Sequence, residues 1–172
     1  VWLTGLPGAG KTTIATALEE QLLQRGHLAY VLDGDVFRKQ MSSDLTFSAA
    51  DRSENIRRAG EVAALLADAG AIALLAFVSP YRSDRKRARQ AMPPGRFFEI
   101  FIDTPLPVCE GRDPKGMYKK ARAGLLPDFT GVSAPYEAPE NPELVLKTVE
   151  MPLEQCTQLI LTLLLDAGIL LR

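Results

Sequence analysis

The sequence predicts an α/β fold, a three-layer domain in which a central parallel sheet lies between two layers of helices. Three observations carry this. Five short apolar runs (1–3, 28–32, 71–78, 97–102 and 144–149) alternate with stretches whose apolar residues recur at helical spacing. A glycine-rich loop, Gly5 to Thr12, joins the first run to the first helical stretch. Several runs also end in clusters such as Asp33-Gly34-Asp35, Ser79-Pro80-Tyr81-Arg82 and Asp103-Thr104-Pro105. Those clusters stand at the carboxyl ends of strands, where open α/β sheets bind ligands.

Val1, Trp2 and Leu3 read as a buried strand. The loop Gly5-Leu6-Pro7-Gly8-Ala9-Gly10-Lys11-Thr12 matches G-x-x-x-x-G-K-[ST], and Ile14, Ala15, Ala17, Leu18, Leu22 and Leu23 behind it mark a helix. In this order glycines turn backbone N–H groups around a phosphate, and the helix N-terminus adds its positive dipole end. Lys11 reaches the β- and γ-phosphates, and the Thr12 hydroxyl holds Mg²⁺. Gly26 stops the helix, and His27, the single histidine, falls in a surface turn. Residues 28–32 form the second strand. Val36 to Met41 is a short helix carrying Arg38, Ser42 to Ala50 is a loop containing Phe47, and Asp51 to Asp68 is a long amphipathic helix. Arg52, Asn55, Arg57 and Arg58 on its first turns fit either a solvated face or a clamp on an anionic substrate.

Residues 71–78 are the most apolar strand and are expected at the centre of the sheet. A charged helix follows from Asp84 to Met92, stopped by Pro93-Pro94-Gly95, then a strand to Ile102 and a short helix, Leu106 to Gly111. The segment 112–130 is basic, glycine-punctuated and poor in core residues. It fits a mobile lid over polyphosphate or an amphipathic surface helix, Gly116 to Ala123. A Pro- and Glu-rich loop, a last strand from Leu144 and a final helix opened by Pro152 complete one domain over 1–172.

Hydrophobic residues make up 47% of the 172, an ordinary share for a globular core, and the net charge of -1 gives no pull toward nucleic acid or membrane. Two distant cysteines, Cys109 and Cys156, form neither a disulfide framework nor a metal motif and suit a reducing cytoplasm. No run approaches the ~20 apolar residues of a membrane span. Val1 already belongs to the loop strand and is not a methionine, so the chain reads as clipped or cut from something larger.

A phosphate loop implies a nucleoside triphosphate. No N-K-x-D guanine reader is present, and a small domain of this P-loop NTPase type with arginine-rich elements and a basic lid reads as a small-molecule kinase. Asp103, Asp33 and Asp35 all remain candidates for the carboxylate beside the metal.

In-order stretches then make the reading specific. They are the loop 5–13, Leu32-Asp33-Gly34-Asp35 with Arg38, Phe47-Ser48, Asp51-Arg52, Glu54 to Arg58 and Phe77 to Arg82. They continue with Arg112 to Gly116, Tyr118 to Gly124, Phe129-Thr130-Gly131 and Pro135 to Glu143. The chain resembles the adenylylsulfate kinases, which convert ATP and adenylyl sulfate to ADP and 3'-phosphoadenylyl sulfate. The resemblance implies that Gly5, Leu6, Pro7, Gly8, Ala9, Gly10, Lys11, Thr12 and Thr13 hold ATP, with Mg²⁺ at Thr12. Arg112 and the segment near Pro152 would flank its adenine. It implies Asp35 as the group that orients, and deprotonates, the ribose 3'-hydroxyl. Arg38, Arg52 and Asn55 would bind the phosphosulfate and sugar. Phe47 and Phe129 would sandwich the second adenine, Val78 and Ser79 would line that pocket, and Lys115 and Thr130 would close it. Some relatives are described with a phosphoserine at the position of Ser79; direct in-line transfer needs none.

The chain departs from the family pattern at Pro7, where serine is usual, and at Val36, where asparagine is usual. The segment that relatives usually carry before the first strand is not among these 172 residues, as expected of a chain cut from something larger. The resemblance further implies a homodimer and a possible fusion to ATP sulfurylase. A kinase for another hydroxylated metabolite and a nucleotide-binding regulatory domain are the competing readings.

Overall fold

In the computed structural model, which describes residues 1–170, five parallel strands run in the order β2-β3-β1-β4-β5. They are β1 (Trp2–Thr4), β2 (Ala29–Asp33), β3 (Ile72–Ala76), β4 (Glu99–Ile102) and β5 (Leu144–Leu146). The helices are α1 (Lys11–Gln24), α2 (Gly34–Met41), α3 (Ala49–Asp68), α4 (Arg82–Gln90), α5 (Leu106–Arg112), α6 (Met117–Arg122) and α7 (Leu153–Asp166).

Side chains alternate across the sheet and split the core in two. Leu3, Leu74, Ile100 and Ile102 pack with α1, α5, α6 and α7 through Ile14, Leu18, Cys109, Tyr118 and Ile160. Trp2, Ala73 and Leu75 pack on the other face with α2, α3 and α4 through Phe37, Ile56, Ala59 and Ala88. Trp2 lies between the rings of Phe77 and Phe97, with centroids 6.0 and 5.6 Å away.

The sheet's centre is β1, not the apolar 71–78 strand, which pairs with β1 on one edge and β2 on the other. Apolarity on both faces reports burial, and an inner strand beside the centre is as deeply buried as the centre itself. The chain moves outward from β1 to β2, returns through β3, and crosses β1 to reach β4. This reversal of direction at β1 puts the glycine loop at the switch point of the sheet. The edge strand β2 has its Val31 N–H donated to Glu19 of α1 at 2.7 Å, which shields part of the exposed edge.

Candidate functional site

The loop after β1 is held from outside by its carbonyls. Lys11 donates to the carbonyls of Gly5 (2.9 Å) and Leu6 (2.7 Å), and Tyr118 to that of Pro7 (2.9 Å). Arg112 donates to Gly8 (3.4 Å) and Ala9 (3.3 Å), and Thr104 also donates to Ala9 (3.1 Å). With these carbonyls engaged and the Ala9 N–H donated to the Leu6 carbonyl at 3.2 Å, the loop keeps its other N–H groups for a phosphate. The first N–H groups of α1 have no side-chain cap, the arrangement in which a helix N-terminus receives an anion. Gly5 is required by close approach as well as by backbone: at φ 152° a Cβ would lie 2.6 Å from the Ile102 carbonyl oxygen. Burial lowers the Lys11 ammonium to about 8, against the pull of Cys109, Asp35 and Asp33.

Among the candidate acids, Asp33 is the one whose carboxylate meets Thr12. The Thr12 hydroxyl donates to Asp33 Oδ2 at 2.7 Å, while Asp33 Oδ1 caps α2 by accepting from the N–H groups of Asp35 (2.9 Å) and Val36 (3.2 Å). Sequence spacing did not separate Asp33 from Asp103 because the choice depends on β2 and α1 meeting. A hydroxyl and a carboxylate at this separation are hard oxygen donors of the kind Mg²⁺ takes alongside phosphate oxygens and water. Hydrogen bonds from Thr12, Val36 and Asp35 outweigh partial burial and keep the Asp33 carboxyl below its usual range.

Asp35 lies one step into α2 and is exposed. Its carboxylate pairs with Lys115, whose ammonium is raised by that contact. Arg38 donates to the Thr46 carbonyl at 2.7 Å and stacks over Phe47, 4.6 Å from the ring centroid.

The four polar groups early in α3 divide. Arg57 pairs with Glu54, and Arg58 with Glu54 and Asp44, so these two are the solvated face. Arg52 instead reaches across to the basic segment. Its guanidinium donates to the Phe47 carbonyl (2.9 Å), to Thr130 Oγ1 (2.7 Å) and to the Asp128 carbonyl. One side chain therefore ties together the backbones that carry Phe47 and Phe129. Asn55 is 5% exposed, and its carboxamide oxygen has no partner among the described residues. Such a buried acceptor requires a ligand or water partner.

Ser79 is also buried, in a backbone with φ 40°, unusual outside glycine. Its hydroxyl accepts from Trp2 Nε1 and donates to Thr4 Oγ1, each at 3.0 Å. Behind it Arg85, 2% exposed, donates to the Ser79 carbonyl (2.7 Å), to Glu99 (2.6 Å) and to the Glu137 carbonyl (2.7 Å). Val78 is half-buried beside it. Pro152 caps the start of α7, and Thr148 of the preceding loop reaches the Ala9 carbonyl at 3.5 Å.

The basic segment is not poor in core contacts. Tyr118, 2% exposed, packs edge-on against Phe129 with centroids 5.0 Å apart, and Ala121 and Thr130 are buried. Sequence reading missed Tyr118 as part of the site. The signal available was a lone aromatic in a lysine-rich helix, which by itself marks only an amphipathic face. His27, placed at the surface, is half-buried.

Comparison with known proteins follows the same lines. The family profile described as adenylylsulphate kinase matches residues 1–147. An adenylyl-sulfate kinase of Geotalea daltonii is 52% identical over 170 residues, covering 99% of this chain and 84% of the relative. The bifunctional enzyme NodQ of Rhizobium tropici is 60% identical over 149 residues, 87% of this chain but 24% of NodQ. The structure of the Mycobacterium tuberculosis APS kinase CysC in complex with AMPPNP and APS matches with a TM-score of 0.90 at 46% identity, over 95% of each chain.

Proposed function

The chain belongs to the adenylylsulphate kinase family, and from that premise we propose how its residues divide the reaction, transfer of the ATP γ-phosphate to the ribose 3'-hydroxyl of adenylyl sulfate. The observation that carries this division is the Arg52 fork, which joins the Phe47 and Phe129 segments on the side of the sheet where Asp35 meets Lys115. A purine stacked between two aromatic faces would lie there with its phosphosulfate near Arg38 and Arg52. Asn55 supplies the unpartnered acceptor for the same ligand.

Phosphoryl transfer is mainly positioning and charge neutralisation. Residues 5–13 hold the ATP phosphates, and Lys11 moves from the loop carbonyls to the γ-phosphate. Arg112 and the Pro152 segment flank the ATP base. Thr12, with Asp33 behind it, would hold Mg²⁺, which when bound neutralises β- and γ-oxygens. Asp35 accepts the 3'-hydroxyl proton once Lys115 leaves it for the incoming anion. Lys115 and Thr130 then close the pocket. Ser79 shapes the pocket wall: its hydroxyl, occupied by Trp2 and Thr4, supports direct transfer over a phosphoserine step. Val78 lines the same wall.

The same reading extends to assembly, a homodimer in solution and, in a NodQ-like setting, a unit joined to the ATP sulfurylase that supplies its acceptor. Sedimentation of the purified chain checks the first.

The deciding experiment measures ADP release from Mg²⁺-ATP with and without adenylyl sulfate. Release is expected to require adenylyl sulfate, to vanish in Lys11→Ala, and to fall about 10²–10⁴-fold in Asp35→Ala. Near-full activity of Asp35→Ala would remove its assigned role. Release indifferent to adenylyl sulfate would point to another acceptor.

A further inference from the structure

We infer that Tyr118 is a positioning residue that couples the ATP loop to the adenylyl-sulfate pocket, so that filling one strengthens binding at the other. This rests on the assignment of the loop to ATP and of Phe129 to adenylyl sulfate.

Three contacts of one side chain carry it. The hydroxyl donates to the Pro7 carbonyl at 2.9 Å, the ring stands nearly perpendicular to that of Phe129 with centroids 5.0 Å apart, and the residue is 2% exposed. Burial keeps the phenol protonated well above its ordinary range, so it remains a donor. The helix that carries it is set by Asp113, whose carboxylate accepts from the N–H groups of Tyr118 and Lys119, each at 3.0 Å. Beyond Phe129 the chain packs back onto the loop, where a Cβ on Gly131 would lie 3.1 Å from the Leu6 side chain.

Pro7 gives this contact its direction. Proline contributes no N–H to phosphate, yet its carbonyl and the Gly8 N–H are the two ends of one peptide unit. When the Gly8 N–H donates to a phosphate, the Pro7 oxygen becomes more negative and accepts more strongly from Tyr118, as chained hydrogen bonds polarise one another. The firmer bond holds α6, and with it the Phe129 ring and Lys115, in the arrangement that receives the second nucleotide. By linkage the effect is reciprocal.

The test is the dissociation constant of adenylyl sulfate with and without saturating Mg²⁺-AMPPNP, by calorimetry, for the wild type and Tyr118→Phe. Phenylalanine keeps the ring against Phe129 and removes only the hydroxyl. The wild type is expected to bind adenylyl sulfate at least about fivefold more tightly when AMPPNP is present. In Tyr118→Phe that ratio falls toward one, with each ligand's affinity alone changed less than the ratio. Phe129→Leu, which leaves the Pro7 bond intact, also lowers the ratio while AMPPNP binds alone as before. A ratio in Tyr118→Phe within twofold of wild type, or no coupling in the wild type, overturns the inference and leaves the kinase assignment standing. A wild type that binds no adenylyl sulfate overturns both.

Discussion

Binding of a nucleoside triphosphate should draw a proton onto Lys11, to an extent set by pH. In the free protein the ammonium is 7% exposed, faces two carbonyls rather than a carboxylate, and is lowered by burial to about 8. Against a γ-phosphate it returns to or above its ordinary value of 10.5. At pH 7 about 0.1 proton is then taken up per nucleotide bound, at pH 8 about 0.5, and at pH 9 about 0.9. Affinity should fall about tenfold between pH 7 and pH 9 from this group alone. The assay is calorimetric titration of Mg²⁺-AMPPNP in pairs of buffers with different ionisation enthalpies. At pH 9 the terminal phosphate is already ionised and no longer contributes protons. Lys11→Met should abolish the uptake. Uptake near zero at pH 9, or equal uptake in Lys11→Met, would refute the reasoning. The same group opposes folding, because the unfolded chain holds its proton more tightly. That opposition is full below pH 8 and fades as pH rises from about 8 to the unfolded value of 10.5.

Two further outcomes concern what supports the site. Arg85→Met should cost about 3 kcal/mol in urea denaturation, since it leaves the largely covered Glu99 with only Arg89 at 3.6 Å and frees the carbonyls of Ser79 and Glu137; Arg85→Met with Glu99→Leu should recover much of that loss. A cost under about 1 kcal/mol would show that the buried pair holds nothing in place. Gly5→Ala places a methyl 2.6 Å from the Ile102 oxygen at φ 152° and should lower stability by about 1–3 kcal/mol, a fall of roughly 3–10 °C in thermal melting, and weaken ATP binding. An unchanged melting temperature would mean that the loop relaxes away from β4.

None of the helices among the described residues is long and apolar enough to cross a membrane, in keeping with the absence of a long apolar run. Several sequence boundaries shifted by a residue or two where a cap decided them. Ser48 starts α3 at Ala49 by accepting the Asp51 N–H, and Asp33 starts α2 at Gly34, which brings Asp35 into a helix first placed at Val36. Hydrophobic period locates a helix body, whereas its first turn depends on one side chain folding back.

The sequence by itself determined the glycine loop, the alternation of strands and helices, the family and the set of candidate residues. The loop and the alternation rest on short-range pattern, a motif within eight residues or a period of two or 3.6, whereas the family and most candidate residues rest on resemblance along in-order stretches from Gly5 to Glu143. Tertiary structure alone decided which of like residues meet which partners. Asp33 rather than Asp103 meets Thr12; Arg52 rather than Arg57 or Arg58 bridges to residues 128–130; Ser79 turns its hydroxyl into the sheet; and Tyr118 closes on Pro7 across 111 positions of chain. The physical reason is the strand order. Charge, hydroxyl and aromatic side chains are alike in sequence until β1, at the centre, brings the ends of β2, β3 and β4 to one edge, and only then does each acquire a partner.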